Sequence, residues 1–115
     1  KAAADQGLAV AQLNVGRMLA DGMGTRKDEA LARQYFEKAA SRGDNRASFN
    51  LAMMEEKKKN YMGAYQWYEL STRDGMLDNK VITLSEGKKT ALAANLTQEQ
   101  IRQARDRADR WIQAQ

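Results

Sequence analysis

The sequence contains no cysteine, no histidine and no proline among its 115 residues. Without histidine, no imidazole base is present to activate a serine or cysteine nucleophile. Without histidine and cysteine, the usual ligands of a structural zinc site are also missing. Acid–base chemistry by carboxylates, lysine or tyrosine stays open on composition alone, and the lack of cysteine leaves the redox compartment undecided. We expect a protein that is not an enzyme, with no catalytic residues, no metal and no cofactor.

Long apolar runs are also missing. No stretch approaches the roughly 20 apolar residues that span a bilayer, and residues 1–6 are not followed by the apolar core of a signal peptide. We therefore expect no membrane span in this chain. Because the first residues look like the middle of a helix, we expect the chain to begin inside a longer protein.

The charges show little bias toward one sign, with 19 basic and 15 acidic residues, a net charge of +4 and a pI near 9.5. A basic chain favours acidic partners, although mixed charges are also typical of ordinary solvated helix faces. The runs Lys57-Lys58-Lys59 and Lys88-Lys89 could contact phosphates. The first run directly follows Glu55-Glu56, and neither run has a repeated basic–aromatic pattern. We interpret both runs as solvated helix ends and expect no nucleic-acid partner.

Alanine, glutamine, lysine and arginine are abundant, and these residues favour helices, whereas few residues favour strands. The hydrophobic fraction of 43% is sufficient for a small core. The composition therefore predicts an all-α protein.

An internal repeat organises the chain. Residues 3–7 (Ala-Ala-Asp-Gln-Gly) match residues 39–43 (Ala-Ala-Ser-Arg-Gly) at a distance of 36 residues, and residues 71–75 form a weaker copy 32 residues further on. The match continues into the flanking positions. The matched pairs include Ala11 with Ala47, Asn14 with Asn50, Gly16 with Ala52, Met18 with Met54, and Tyr35-Phe36 with Trp67-Tyr68.

Each repeat is predicted to form two helices, which we call helix A and helix B. The first A helix is predicted over residues 9–20 and is ended by the Asp21-Gly22-Met23-Gly24 turn. Asp28 is predicted to cap the first B helix, over residues 29–42, with Gly43 as its stop. In the second repeat, residues 46–58 and 61–73 are the predicted A and B helices. Gly16 and Ala52 mark close helix contacts, because glycine inside a helix otherwise costs about 1 kcal/mol.

This pattern resembles the Sel1-like repeat, a relative of the tetratricopeptide repeat. The features that carry the resemblance are Ala11, Val15-Gly16, Gly22-Met23-Gly24, Asp28, Tyr35-Phe36 and Ala39-Ala40-Ser41-Arg42-Gly43. The second repeat departs from the pattern, because Glu55 to Asn60 stands where the family has its G-x-G loop. The resemblance implies an α/α solenoid. Its parts are the end of a truncated repeat (1–8), two repeats (9–44 and 45–76) and a C-terminal helical cap (77–115).

The C-terminal segment is predicted to close the solenoid. Thr97 and Gln100 form a capping-box pattern before the last helix. In that helix Ile101, Ala104, Ala108, Trp111 and Ile112 recur at helical spacing, while arginine and aspartate take most other positions. This resembles the end of many bacterial Sel1 proteins, so we expect an authentic C-terminus. At the other end, we expect the truncated first repeat to expose an apolar face through which the fragment could self-associate.

Three other features could suggest chemistry, but each has a structural interpretation that we favour. The Gly22-Met23-Gly24 turn is not preceded by a strand and completes no phosphate-binding motif. Asp106 and Asp109 alternate with arginines at the spacing of surface ion pairs rather than of an acid–base pair. Trp67-Tyr68 could stack a ligand, but its match to Tyr35-Phe36 favours core packing.

The candidate binding residues lie on helix A, which lines the concave face of this architecture. Asn14 and Asn50 recur at the same position, and Arg17 follows Asn14 by three residues. Asparagine can hydrogen-bond a peptide backbone and arginine a carboxylate, so these residues, with Gln12 and Lys57 nearby, predict a partner-binding face. Alternatively, Asn14 and Asn50 form hydrogen bonds in turns between helices.

The resemblance implies a non-catalytic protein–protein interaction scaffold of a bacterial protein, whose partner offers an acidic segment. The periplasm or cell envelope is the location that the resemblance suggests. Two other functions stay open: binding of carbohydrate or cell-wall glycan in an envelope assembly, and regulation of an enzyme fused to the N-terminal side. Exposed aromatic residues on the concave face would favour the first, and the full-length sequence would decide the second.

Overall fold

A computed structural model describes residues 3–22, 24, 26–73 and 78–114, with side chains from residue 7 onward. These residues form helices and no strands, which confirms the predicted all-α fold. The helices are α1 (Ala3–Asp21), α2 (Glu29–Ser41), α3 (Asn45–Lys57), α4 (Tyr61–Ser71), α5 (Asn79–Ala93) and α6 (Gln98–Ala114). Helices α1 and α3 are the A helices of the two predicted repeats, and α2 and α4 are their B helices.

A polar side chain caps the N-terminus of each helix from α2 to α5. The carboxylate of Asp28 accepts a hydrogen bond from the Leu31 backbone N–H at 3.0 Å, as predicted for the start of α2. Asp44, Asn60 and Asp78 act in the same way for the next three helices. These caps satisfy backbone donors that have no partner inside the helix, so they define where each helix begins.

Left-handed glycines end the first two helices. Gly22 and Gly24 both have φ of 72°, and Gly43 has φ of 91°. Residues with a side chain rarely adopt this backbone conformation, whereas glycine adopts it at no steric cost. The turn predicted at Gly22 and the stop predicted at Gly43 are therefore confirmed. Asp74 and Gly75, the end of the weaker third copy, lie outside the described residues.

Gly7 behaves differently from its counterpart Gly43. We predicted that the first A helix begins at about Ala9, but α1 runs without a break from Ala3 through Gly7. The reason lies in the next position. Asp44 follows Gly43 and caps α3, whereas Leu8 follows Gly7 and has no side chain that could cap a new helix. Without a cap the backbone continues the helix that it has already formed.

The turn of the second repeat replaces the G-x-G loop with a partly buried polar contact. The side chain of Asn60 donates to Glu55 Oε2 at 2.6 Å and accepts from the Gly63 N–H. Arg33 of α2 donates to the other carboxylate oxygen of Glu55. Lys59 takes the left-handed conformation, with φ of 64°, that glycine provides in the first repeat.

Replacing Lys59 by glycine is expected to raise the free energy of unfolding by up to about 1 kcal/mol. The left-handed backbone conformation costs a residue with a side chain roughly 1–2 kcal/mol, which glycine avoids. Part of this gain is offset, because glycine makes the unfolded chain more flexible and so increases its entropy. Urea denaturation of the variant against the wild type measures the change. Lys58→Gly is the matched control, since Lys58 has φ of −83° and gains nothing from glycine. A Lys59→Gly protein no more stable than Lys58→Gly would contradict the assignment of strain.

The helices pack in chain order, with α2 between α1 and α3, and with α4 against α3, α5 and α6. Gly16 provides the close approach predicted for α1, because a Cβ atom built there would lie 2.7 Å from the Phe36 ring. Ala52, its counterpart in α3, is fully buried. Phe36, Trp67 and Tyr68 are buried, and Tyr35 packs against the same core. The aromatic pairs of both repeats are therefore core residues, as predicted.

Helix α6 is the predicted amphipathic closing helix. Thr97 and Gln100 exchange hydrogen bonds between side chain and backbone at 2.9 and 3.1 Å, which confirms the capping box. Ala104 and Ala108 are buried, and the Trp111 ring meets the Trp67 ring of α4 edge to face at 5.0 Å. Because its apolar side faces α4, this helix covers one side of the last B helix.

A buried carboxylate joins the last three helices. Glu69 of α4 lies 2.8 Å from Lys89 Nζ of α5 and 2.9 Å from Arg73 Nη2, and Arg73 also pairs with Asp109 of α6. Burial raises the pKa of the Glu69 carboxyl, but the hydrogen bonds and charges of Lys89 and Arg73 outweigh it and bring the pKa below its usual value. Glu69 is therefore ionised at neutral pH and pairs with both Lys89 and Arg73, and Arg73 connects it to Asp109 in the second half of α6.

Candidate partner-binding face

Asn14 and Arg17 lie exposed on α1, three residues apart and so on neighbouring turns of one side. Within the described part of the chain, Asn14 has no hydrogen-bond partner for its side chain and Arg17 has no ion pair. Both side chains therefore present their donors to solvent. Asn14 can donate and accept, and the Arg17 guanidinium can hold a carboxylate in a two-point contact.

Asn50 is half-buried, and its Nδ2 donates to the Arg46 carbonyl oxygen of the same helix at 2.8 Å. This bond lies within α3, so Asn50 does not bridge two helices. It leaves the amide oxygen of Asn50 to accept a further bond. Lys57 lies two turns further along the same side, is exposed, and has its Nζ 3.7 Å from Glu29 Oε1 of α2.

Gln12 does not join the other four residues. It precedes Asn14 by two positions, which turns its side chain about 200° around the helix axis. The side chain is half-buried, and its Oε1 atom is buried without a hydrogen-bond partner among the residues that the structure describes. Gln12 therefore lies on the side of α1 away from Asn14 and Arg17.

Two apolar residues share this side of the A helices and were missed in the sequence. Met53 occupies the position of Arg17 in the second repeat, three residues after Asn50, and it is exposed. The caps Asp44 and Asp78 place α5 in register with α3 at an offset of 34 residues, so Leu84 corresponds to Asn50. Leu84 is 54% exposed.

We call this exposed side of α1, α3 and α5 the A face. Its residues are Asn14, Arg17, Asn50, Met53, Lys57 and Leu84. The signal for Leu84 in the sequence is the 34-residue offset between Asp44 and Asp78, which becomes visible only when Asp78 is identified as the cap of α5.

Positive charge predominates along the A face. Arg46, one turn before Asn50, is held by Asp44, whose two carboxylate oxygens accept from its guanidinium at 3.0 and 2.9 Å. This hydrogen bonding raises the pKa of Arg46. Lys80 at the start of α5 is exposed and, like Arg17, has no ion pair in the described part of the chain. Asp21 at the end of α1 is the exposed acid on this side.

The features with alternative interpretations have structural roles. Asp106 pairs with Arg102 on α6 at 3.1 Å, and Asp109 pairs with Arg73. The glycines of the first turn take left-handed backbone conformations. Among the described residues, no cluster of three or more acidic residues could hold a metal ion. The same residues include no helix that is long and apolar enough to span a membrane.

A match from the comparison with protein families covers both repeats. The Sel1 repeat family matches residues 9–44 and 45–76, more than half of the chain. No curated protein matches the chain, and no solved structure does. Sel1 repeats generally mediate protein–protein interactions and are typically non-catalytic. The two matched segments contain most of α1, all of α2 to α4, and the caps Asp28, Asp44 and Asn60. This chain therefore belongs to the Sel1 repeat family.

Proposed function

We propose that this chain is a non-catalytic scaffold of a bacterial protein that binds an acidic segment of another protein on its A face. The observation that carries the proposal is Arg17, an exposed guanidinium with no ion pair in the described part of the chain, beside the unbonded amide of Asn14. A free guanidinium next to a free amide favours a carboxylate together with a peptide group.

The hydrogen-bonding capacity of the two asparagines fits an extended peptide backbone. Asn14 offers both donors and an acceptor, whereas the Nδ2 of Asn50 already donates one hydrogen bond to the Arg46 carbonyl oxygen, which leaves its amide oxygen and its second N–H. An extended segment presents unpaired N–H and C=O groups along its edge. Both asparagines can therefore bind either group, with one donor fewer at Asn50.

The A face changes character along the solenoid, which gives the partner a direction. Arg17 and Asn14 make the α1 end polar and basic, whereas Met53 and Leu84 make the α3 and α5 side apolar. The best-fitting segment carries its acidic residue over α1 and an apolar side chain over α3 or α5. The charge would speed association and fix the register, and the apolar contact would slow dissociation.

Glycan binding receives no support from this face. Carbohydrate sites in which sugars stack require exposed aromatic rings, but all eight aromatic side chains of the chain are described and all are buried or half-buried. None of them lies on the A face. The peptide-binding function is therefore the one that the exposed groups favour.

Arg17→Glu is expected to weaken binding of an acidic segment at least 10-fold while leaving the melting temperature unchanged, because surface changes alter stability by under about 0.5 kcal/mol. Peptides selected from a displayed random library supply the probe, and fluorescence anisotropy measures their affinity. Arg107→Glu on α6 is the matched control: it makes the same charge change at an exposed site away from the A face. The proposal would be overturned if the selected peptides contained no acidic residues, or if Arg17→Glu and Arg107→Glu lost the same amount of peptide affinity.

A further inference from the structure

Gly87 lies in the middle of α5, where glycine weakens a helix relative to alanine. The other glycines inside the described helices have a reason within the chain. A Cβ atom at Gly16 would lie 2.7 Å from an aromatic ring of α2, one at Gly63 would lie 2.6 Å from the Asn60 amide, and Gly7 stands at the repeat position of a helix stop. At Gly87 the space around a Cβ atom is open to 4 Å. No contact within the described part of the chain therefore requires this glycine.

The side of α5 that carries Gly87 is not a side that a neighbouring repeat covers. Asp44 and Asp78 cap α3 and α5 at an offset of 34 residues, so Gly87 is the counterpart of Met53. Helix α3 has α2, α4 and α5 packed against it, yet Met53 stays 40% exposed. Equivalent positions of stacked repeats face the same way. A further helix packed on α5 as α5 packs on α3 would therefore leave Gly87 open.

Two exposed apolar side chains lie beside Gly87 on this face. Leu84 is one turn earlier in α5 and is 54% exposed, and Met53 has the equivalent position on α3, which contacts α5. Because glycine has no side chain, the surface at Gly87 lies lower than the surface at its neighbours. The result is a shallow depression with apolar residues beside it.

The charge near this depression favours an acidic partner. Lys80, two turns before Gly87, is exposed and has no ion pair in the described part of the chain. Arg17, at the position of α1 that corresponds to Met53 and Gly87, is exposed and unpaired in the same sense. Uncompensated cations on a binding face steer and orient an acidic ligand.

We propose that Gly87 is the seat for a large apolar side chain of the acidic segment that binds the A face. The proposal rests on the function proposed above and makes it more specific, because it assigns the apolar contact to α5. The partner's side chain lies on the Gly87 backbone and against Leu84. Packed helices are about 8–10 Å apart and an extended chain advances roughly 3.3 Å per residue, so the partner residue over Met53 is about three positions away.

Gly87→Gln tests the seat, because glutamine is a good helix former and fills the depression without adding an apolar side chain. The probe is a peptide selected on the wild-type chain from a displayed random library, and its apolar residues are replaced by alanine one at a time. Fluorescence anisotropy measures each affinity. Gly87→Gln is expected to weaken the selected peptide at least about 10-fold. It is expected to change the affinity of one of the alanine peptides by less than about 3-fold, because that peptide has lost the seated side chain.

Ala30→Gln is the matched control, because it adds a glutamine at an exposed position of α2, outside the A face. Circular dichroism checks that both variants stay folded. The seat is overturned if Gly87→Gln binds the selected peptide as well as Ala30→Gln does, or if no alanine replacement in the peptide removes the effect of Gly87→Gln. Selected peptides without a large apolar residue would also overturn it.

Arg17→Glu separates this proposal from the function on which it rests. Weaker binding by Arg17→Glu with unchanged binding by Gly87→Gln would leave the acidic segment on the A face and remove the seat. Weaker binding by Gly87→Gln with unchanged binding by Arg17→Glu would overturn the acidic segment as the occupant, although Gly87 would still take an apolar side chain. Losses in both variants, with the Gly87→Gln loss tied to one apolar residue of the peptide, support both proposals.

Discussion

Replacing Gly16 by leucine is expected to lower the free energy of unfolding by about 1–3 kcal/mol, because the new side chain overpacks the contact between α1 and α2. A Cβ atom at Gly16 would lie 2.7 Å from one carbon of the Phe36 ring and 2.8 Å from another. The ring is buried and packed on its other side by the core, so it cannot swing into solvent. The helices must separate or the ring must leave its preferred rotamer. Urea denaturation at constant temperature measures the loss.

Gly87→Leu is the control for this substitution. Gly87 also lies inside a helix, but nothing stands within 4 Å of a Cβ atom built there. Leucine is the better helix former by roughly 0.5–1 kcal/mol, so this variant is expected to gain stability. Opposite signs for the two substitutions would establish that the cost at Gly16 comes from the contact with Phe36. A Gly16→Leu protein as stable as the wild type would show that α1 and α2 are not in close contact.

The sequence was informative wherever one residue type has one dominant local use. Asp28 was predicted to cap α2, and Gly43 to end it, because a short carboxylate and a residue without a Cβ atom each suit one position at a helix end. Thr97 and Gln100 were recognisable because a capping box needs both residues at a fixed spacing. These local signals were sufficient to locate most helix ends.

The sequence was less informative where the outcome depends on a neighbour. Gly7 and Gly43 stand in nearly identical segments, yet only Gly43 ends a helix, because Asp44 caps the next helix and Leu8 cannot. The turn at Lys59 was not predictable from a glycine motif. There, the contact between Glu55 and Asn60 holds the turn, and lysine takes the left-handed conformation.

The A face was predicted only in its polar part. Asn14 and Asn50 recur at the repeat distance, so their shared position was visible in the sequence. Met53 stands where the first repeat has Arg17, and a methionine at helical spacing is ordinarily assigned to the core. Its exposure follows from the direction in which α2 and α4 approach α3, which is a property of the packed molecule.

Burial differs between the two repeats at equivalent positions, and this leads to a second prediction with a large effect. Leu51→Ala is expected to lower the free energy of unfolding by about 2–5 kcal/mol, because Leu51 is fully buried in the core and its loss leaves a cavity. Val15 is the equivalent residue of α1 and is 37% exposed. Val15→Ala is expected to change stability by no more than about 0.5 kcal/mol. Urea denaturation of both variants gives the comparison.

Met18→Ala and Met54→Ala repeat this comparison with one residue type, which removes the difference in size between valine and leucine. Met54 packs against the core and Met18 is 44% exposed, so the larger loss is expected for Met54→Ala. Equal losses within either pair would contradict the difference in burial between the equivalent residues of α1 and α3. Unequal losses, with Val15→Ala and Met18→Ala nearly neutral, would show that these two side chains of α1 contribute little to the folded state, because the packing that buries Leu51 and Met54 has no equivalent around them among the described residues.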